Sequence, residues 1–302
     1  MFGKSIYGCK FFWMFTAVAS IAVYNFPDQS PFLVSKYNDI MGLLMLMCEN
    51  SINRLPDWIQ AYADPERLAF TVVSVLTLEL TFWTLNGVLF VMYKYDLFRK
   101  YAVHDGLPDE EMIFEAFLDA VIGHFFIRPP LLYLAFPLFQ SDGWMSGEAL
   151  PSLPIFLAQV FFCLCVDDTK PISIATEYAH PIEDFISNTL STVLGPLLLK
   201  SHSVVFWYYT CMKLAQSIEA HSGYNPPFPI SVFSLLDVCD CAPAHDFHHS
   251  HNTGNFGGFF IFWDWVCGTD GRYNKFLEKK ESDPAYWNVT RHSAKANKAK
   301  EA

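Results

Sequence analysis

Six of the ten histidines fall between positions 202 and 251, and the densest run reads His245-Asp246-Phe247-His248-His249-Ser250-His251. Imidazole is a borderline ligand that suits iron, zinc and copper. On a helix, positions i, i+3 and i+4 share a face, so His245, His248 and His249 can aim their rings at one point, as a metal site requires. The competing reading is a solvated, polar helix start. His221 stands in Glu219-Ala220-His221-Ser222-Gly223-Tyr224-Asn225-Pro226, where a helical run gives way to a Gly/Pro turn. It either reaches the same point from a neighbouring helix or is a turn histidine. His180 precedes Pro181 and suits a capping position. His104, His124 and His202 read as structural, and His292 as solvated.

The elements that must position these rings are apolar. The chain has 302 residues, of which 52% are hydrophobic, 17% aromatic and only 17% charged, with 29 Phe and a formal charge of −11. That composition excludes a disordered chain, and the absence of a basic stripe speaks against a nucleic-acid partner. It points instead to an all-α membrane protein with about four transmembrane helices and a cytosolic, helical, His-rich cap. The expected spans are Phe11 to Phe26 (retained, or cleaved as a signal peptide), Ala69 to Tyr93, Val121 to Phe139 with Arg128-Pro129-Pro130 inside it, and Leu150 to Val166. Ile186 to Met212, with Lys200 and His202 halfway, reads as a re-entrant pair of half-helices or a buried hairpin. Lys4 and Lys10, then Lys94, Arg99 and Lys100, then the basic tail share one side, which is cytosolic by the positive-inside rule. Residues 27 to 68 are then lumenal. Glu79 and Arg128 lie inside spans, where a charge is costly unless it is paired or faces a cavity. The eight cysteines read as thiols, and Cys239-Asp240-Cys241 lacks the spacing of a zinc site.

His245-Asp246-Phe247-His248-His249, followed by Gly254-Asn255-Phe256, Trp263-Asp264 and Gly268-Thr269-Asp270, resembles the C-terminal signature of the fatty-acid hydroxylase and sterol desaturase superfamily. Glu177-Tyr178-Ala179-His180-Pro181-Ile182-Glu183 and His221-Ser222-Gly223-Tyr224-Asn225 are similar to the C-4 methylsterol oxidase branch, and cholesterol 25-hydroxylase has a similar ending. The resemblance spans nearly the whole chain, weakly before Asp119 and strongly after Lys170. It implies an endoplasmic-reticulum membrane enzyme, multi-pass with a cytosolic C-terminus, whose histidines hold two irons. Such an enzyme is a monooxygenase of sterol biosynthesis and lipid metabolism: it takes electrons from NAD(P)H through cytochrome b5 and its reductase, and uses O₂ to hydroxylate a sterol or related lipid. The implied metal ligands are His221, His245, His248 and His249, with His180 a weaker fifth. Asp246 is a candidate to orient an imidazole. Lys298 and Lys300 resemble a dilysine retrieval signal. Asn288-Val289-Thr290 is a glycosylation sequon that a cytosolic tail leaves unused.

The sequence departs from that pattern at two places. The family's earlier HxxxH and HxxHH boxes are absent, and Val166-Asp167-Asp168 runs straight into Thr169-Lys170-Pro171. About 25 residues, roughly one span, look removed between 168 and 169. Ala244 stands where many relatives have a further histidine. The expected organisation is therefore transmembrane helices over 1–166, a metal-binding region over 167–270 with an internal deletion, and a basic tail over 271–302. Two functions remain in view: a lipid hydroxylase, or an inactive relative or splice variant that binds lipid or a partner.

Overall fold

The computed structural model describes residues 31–102, 110–140, 144–147, 150–168, 190–225, 227, 231, 241–251, 253–258 and 260–282. Within them the regular structure is helical, with one isolated β-bridge between Ala102 and Tyr224. The first apolar segment, His104, His180, His292, the Cys239–Asp240 pair and the tail beyond Ser282 lie outside the described residues.

Helix α1, Pro31–Ile52, occupies the stretch expected to be lumenal, where the sequence analysis placed no element. Helix α2, Pro65–Lys94, covers the clearest expected span. Its start is encoded locally: Pro65 fits the first turn and the Asp64 carboxylate caps the Arg67 amide at 2.9 Å. Thirty residues rise about 45 Å, enough to cross a bilayer with tilt. Helix α3, Glu110–Ile122, continues through a π turn at Gly123–Ile127 into α4, Arg128–Phe139. Pro129 and Pro130 cannot donate backwards to the preceding turn, and the widened turn accommodates them without breaking the helix. Phe117–Phe139 is the second helical stretch long and apolar enough to cross a membrane. Helix α5, Leu153–Asp168, has 16 residues and rises about 24 Å, less than a hydrocarbon core of about 30 Å. Two of the four expected spans are thus long and apolar enough to cross a membrane among the described residues, and the first expected span lies outside them.

The expected break at Lys200 and His202 is present. Helix α6, Leu190–Leu199, ends at Lys200, whose φ is +47°, and α7, Ser203–His221, starts after it. His202 caps α7, its Nδ1 accepting from the Val204 amide at 3.2 Å while Nε2 donates to the Ser146 carbonyl at 3.0 Å. The pair folds back as a hairpin, since Lys213 donates to Thr192 at 2.7 Å. Gly195 lets α6 approach the Cys163 backbone of α5 where a Cβ would collide.

Helices α2 and α7 run in the same direction. Trp207 donates to Ser74 at 2.9 Å near their starts, and Tyr93 packs on Tyr224, 5.1 Å between ring centres, near their ends. One end of the bundle is closed by Phe70, fully buried among Phe136, Phe139, Trp144, Phe206 and Trp207 with ring centres 4.9 to 6.3 Å away. The opposite end carries Lys94, Arg99, Lys100 and His221. There the cap begins, with α8 at Cys241–His251, α9 at Phe262–Cys267 and α10 at Gly271–Ser282. Cys48, Cys163, Cys211 and Cys267 are free thiols.

Candidate metal centre

His221 is the last residue of α7, and its side chain folds back along the helix so that Nδ1 donates to the Ser217 carbonyl at 2.7 Å. That bond fixes the tautomer. Nε2 carries the lone pair and points away from α7, toward α8. From α8, Nε2 of His245 lies 2.9 Å from Nε2 of His221, and Nε2 of His249 lies 3.0 Å from that of His245. The i, i+4 spacing of His245 and His249 delivers the face predicted for them.

Hydrogen bonding satisfies this arrangement poorly. A neutral imidazole nitrogen is either a donor or an acceptor in its ring plane, and a single proton on His245 Nε2 can serve only one neighbour well. Charging the ring is costlier still. Burial, followed by the charges His221, His249 and His248 would carry, pushes His245 down to about 2. Burial lowers His249 as well, then His221 and His248, with Asp246 opposing. Burial thus favours the neutral form of His245 and His249, which is the state in which imidazole binds a metal. The ligand atoms of His221, His245 and His249 all lie within 4.8 Å of one another. Separations of 2.9 and 3.0 Å are short enough for neighbouring nitrogens to share an ion at metal–nitrogen distances of about 2.1 Å. His221, His245 and His249 could therefore hold a metal.

His248, expected to join the other three, is buried beside them; its Nδ1 faces the Gly254 carbonyl at 2.8 Å, as Nδ1 of His221 faces that of Ser217, and its ring centre is 6.2 Å from that of His245. Asp246, expected to orient an imidazole, lines a cleft of about 250 Å³ with Lys100, Asn225 and Tyr273 on another face of α8. Ala244 packs on Phe247 and Tyr273. No other group of three or more metal-ligating side chains occurs among the described residues.

The turn after α8 holds His248 in place. Gly254 has φ +70°, and a Cβ there would strike the Thr269 carbonyl oxygen. Asp264, 2% exposed, accepts from the Phe256 amide at 2.7 Å, the Gly257 amide at 2.8 Å and the Thr269 hydroxyl at 2.6 Å. Gly268, at φ +69°, ends α9 and returns the chain so that the Thr269 amide meets the Asp264 carbonyl at 2.8 Å. Sequence reading quoted Gly254, Asp264, Gly268 and Thr269 as a signature without seeing that they form one hydrogen-bonded unit. The positive-φ demand at the two glycines was the available signal.

A fatty acid hydroxylase family model matches residues 167–269, which contain all four histidines and the loop that Asp264 organises. The chain carries a fatty acid hydroxylase domain. It is similar to the very-long-chain aldehyde decarbonylase GL1-11 of Oryza sativa subsp. indica, 28% identical over 243 residues that cover 70% of this chain and 90% of that protein. Methylsterol monooxygenase 2-2 of Arabidopsis thaliana is 28% identical over 188 residues, 53% of this chain and 70% of that protein. Methylsterol monooxygenase 1 of Rattus norvegicus is 28% identical over 227 residues, 65% and 75% respectively. No solved structure matches. The matched segment thus includes all of α6, α7, α8 and α9, and the four clustered histidines come from α7 and α8.

Proposed function

We propose that this protein is a multi-pass membrane oxidoreductase of the endoplasmic reticulum, with its C-terminus cytosolic, that hydroxylates a sterol or related lipid in lipid biosynthesis. The observation that carries the reading is the convergence of three Nε2 atoms on one point at the end of the bundle that also bears Lys94, Arg99 and Lys100. Basic residues mark the cytosolic side, so the centre sits at the lipid–cytosol boundary. An apolar substrate reaches it from the bilayer, and electron carriers such as cytochrome b5 and its reductase meet it from the cytosolic side. Iron at this place would supply O₂ activation. The chain's own part is to favour the neutral rings of His245 and His249 by burial, to fix His221 through the Ser217 carbonyl, and to limit water around His245.

The test is turnover in bilayers. Purified protein loaded with Fe(II) and given a reductant and ¹⁸O₂ is offered a 4-methylsterol and a very-long-chain aldehyde in separate reactions. Labelled hydroxysterol is the expected product. Labelled product from neither substrate, in protein with bound iron, overturns the proposal.

A second reading, an inactive relative or splice variant, is favoured by one specific feature. The match to the Oryza sativa protein runs over 243 residues, yet 70% of 302 is about 211, which leaves about 30 aligned positions without a residue in this chain. That shortfall is the size of the segment expected between 168 and 169 with the two missing histidine boxes. Sequencing the transcript across Asp168 and Thr169 separates the readings, since an in-frame insert with HxxxH and HxxHH makes this chain a variant of the enzyme.

A further inference from the structure

We infer that the cleft between the bundle end and the cap binds a zwitterionic phosphocholine group, with Lys100 taking the phosphate and Asp246 the quaternary ammonium. The cleft is separate from the clustered histidines. Pro243, Asp246, Phe247 and Ser250 line it at the i, i+3, i+4, i+7 spacing of one face of α8, whereas His245 and His249 occupy another. The inference goes beyond the hydroxylase reading, and only the level of the cleft relative to the bilayer rests on the topology proposed there.

The fold sets the walls of this cleft. After α2 the chain turns at Asp96 and Phe98, with φ of +52° and +58°, into a 3₁₀ turn at Arg99–Tyr101. The Asn225 amide donates to the Tyr101 carbonyl at 2.9 Å beside the Ala102–Tyr224 bridge, which pins that turn to the chain leaving α7. Lys100 thereby stands on one wall, with its Nζ 4.7 Å from the Tyr101 ring centre. Helix α8 brings Asp246 to a second wall, and α10 brings Tyr273 and Phe276 to a third. Phe247, Tyr273 and Phe276 form one packed aromatic cluster, with ring centres 5.2 to 6.5 Å apart.

The pattern of charge selects the ligand. A phosphate or a fatty carboxylate alone suits Lys100 but is repelled by the Asp246 carboxylate, and a lone amine meets the reverse conflict. A group carrying both signs answers both walls, and lysine is a regular phosphate partner. The aromatic lining then selects the ammonium. A primary ammonium has three donors to satisfy, whereas the Ser250 hydroxyl is already engaged, donating to the Phe247 carbonyl at 3.2 Å and meeting His251 Nδ1 at 2.7 Å. A quaternary ammonium donates no hydrogen bond and is drawn to aromatic rings beside a carboxylate. Size agrees: at about 250 Å³ the cleft is smaller than the pockets of about 300–1,000 Å³ that hold whole drug-sized ligands, and it suits a headgroup rather than a sterol. Lys94 and Arg99 share this end of the molecule, which the positive-inside rule places at the cytosolic leaflet, so phospholipid is the source at hand.

The experiment uses the full chain in a maltoside detergent, which carries neither phosphate nor ammonium. Dihexanoyl phosphatidylcholine is titrated by calorimetry against a detergent blank, with free phosphocholine and the dihexanoyl ethanolamine and glycerol phospholipids as separate arms. One equivalent of the choline lipid per chain is expected, with the ethanolamine and glycerol lipids about tenfold weaker. Choline lipid tighter than free phosphocholine supports the site and assigns it to the membrane; equal binding of the two supports it and assigns it to a soluble phosphocholine. Asp246→Asn should weaken the choline lipid about tenfold and spare or strengthen the anionic glycerol lipid, while Lys100→Ala weakens both. No saturable binding of either choline compound, ethanolamine or glycerol lipid bound as tightly as choline lipid, or indifference to Asp246→Asn would each overturn the inference. Selectivity is read on the unmodified chain, so a misfolded variant does not blunt the test. Binding is measured without turnover, so its failure leaves the hydroxylase reading standing, and absence of turnover leaves this site standing.

Discussion

Oε2 of Glu79 and Nδ1 of His124 lie 3.0 Å apart at mid-bundle, joining α2 to the π turn that precedes α4. The same carboxylate oxygen accepts from Trp83 Nε1 at 2.7 Å, and Phe82 and Trp83 pack on the imidazole. The acid expected to need a partner inside this apolar helix therefore marks a tie between helices, since a buried carboxylate is costly unless it is paired.

Breaking that tie on one side should be worse than removing it. His124→Leu leaves a buried carboxyl short of a donor, a loss of about 3–5 kcal/mol, while Glu79→Leu/His124→Leu leaves only apolar contacts. Thermal melts in detergent should show the double variant above His124→Leu. Additive losses from the two single changes would refute the tie.

Asp264 organises the turn behind the candidate centre by accepting three hydrogen bonds while almost fully buried. Asp264→Asn sets an amide N–H against the Gly257 amide, and should cost about 3 kcal/mol, since each bond to a charged acceptor contributes about 1.5–3 kcal/mol. Urea unfolding followed at the cap, with faster exchange at the Phe256 and Gly257 amides, is the check. Unchanged exchange there contradicts the assignment.

The two positive-φ glycines of the cap differ in what surrounds them. A methyl at Gly254 strikes the Thr269 carbonyl, whereas nothing lies within 4 Å of a methyl at Gly268. Gly268→Ala should cost about 1 kcal/mol from backbone strain alone, and Gly254→Ala clearly more, about 2–3 kcal/mol. Paired melts decide it, and equal losses would mean that the Thr269 contact does not matter.

The sidedness of the bundle can be read with thiols. Cys267 is exposed in the cap, and Trp58 is exposed at the opposite end, in the turn before α2. In a chain whose other cysteines are serine, an impermeant maleimide should reach Cys267 and a cysteine at Lys100 from the same side of sealed vesicles. A cysteine at Trp58 should react only from the other side. Reaction of Lys100→Cys and Trp58→Cys from one side would reverse the proposed topology.

Much of this was legible in order along the chain. The run from Ala69 to Tyr93 is apolar, bounded by charge and preceded by a capping aspartate, so local rules alone produce α2. The break at Lys200 and the hairpin around it follow from polar residues in an apolar run. Helix α1 was missed because Lys36, Asn38, Asp39 and the residues around them mask its apolar faces, and its burial depends on contacts such as Tyr37 with Ser203 and Asn38 with Gly147, which are remote in sequence. The proline pair in the second candidate span looked like an interruption, because a π turn is a response of the backbone rather than a residue pattern.

Residue identity by itself determined that imidazoles would crowd one helix face of an apolar chain, because helical periodicity fixes the face. Which of those rings meet was decided only in three dimensions. His221 is 24 positions from His245 and comes within 2.9 Å of it, whereas His248, only one residue from His249, is drawn to the Gly254 carbonyl. Ring direction depends on the hydrogen bond made by the other nitrogen, and in both cases that bond goes to a backbone carbonyl, Ser217 or Gly254, placed by the fold rather than by the spacing of histidines.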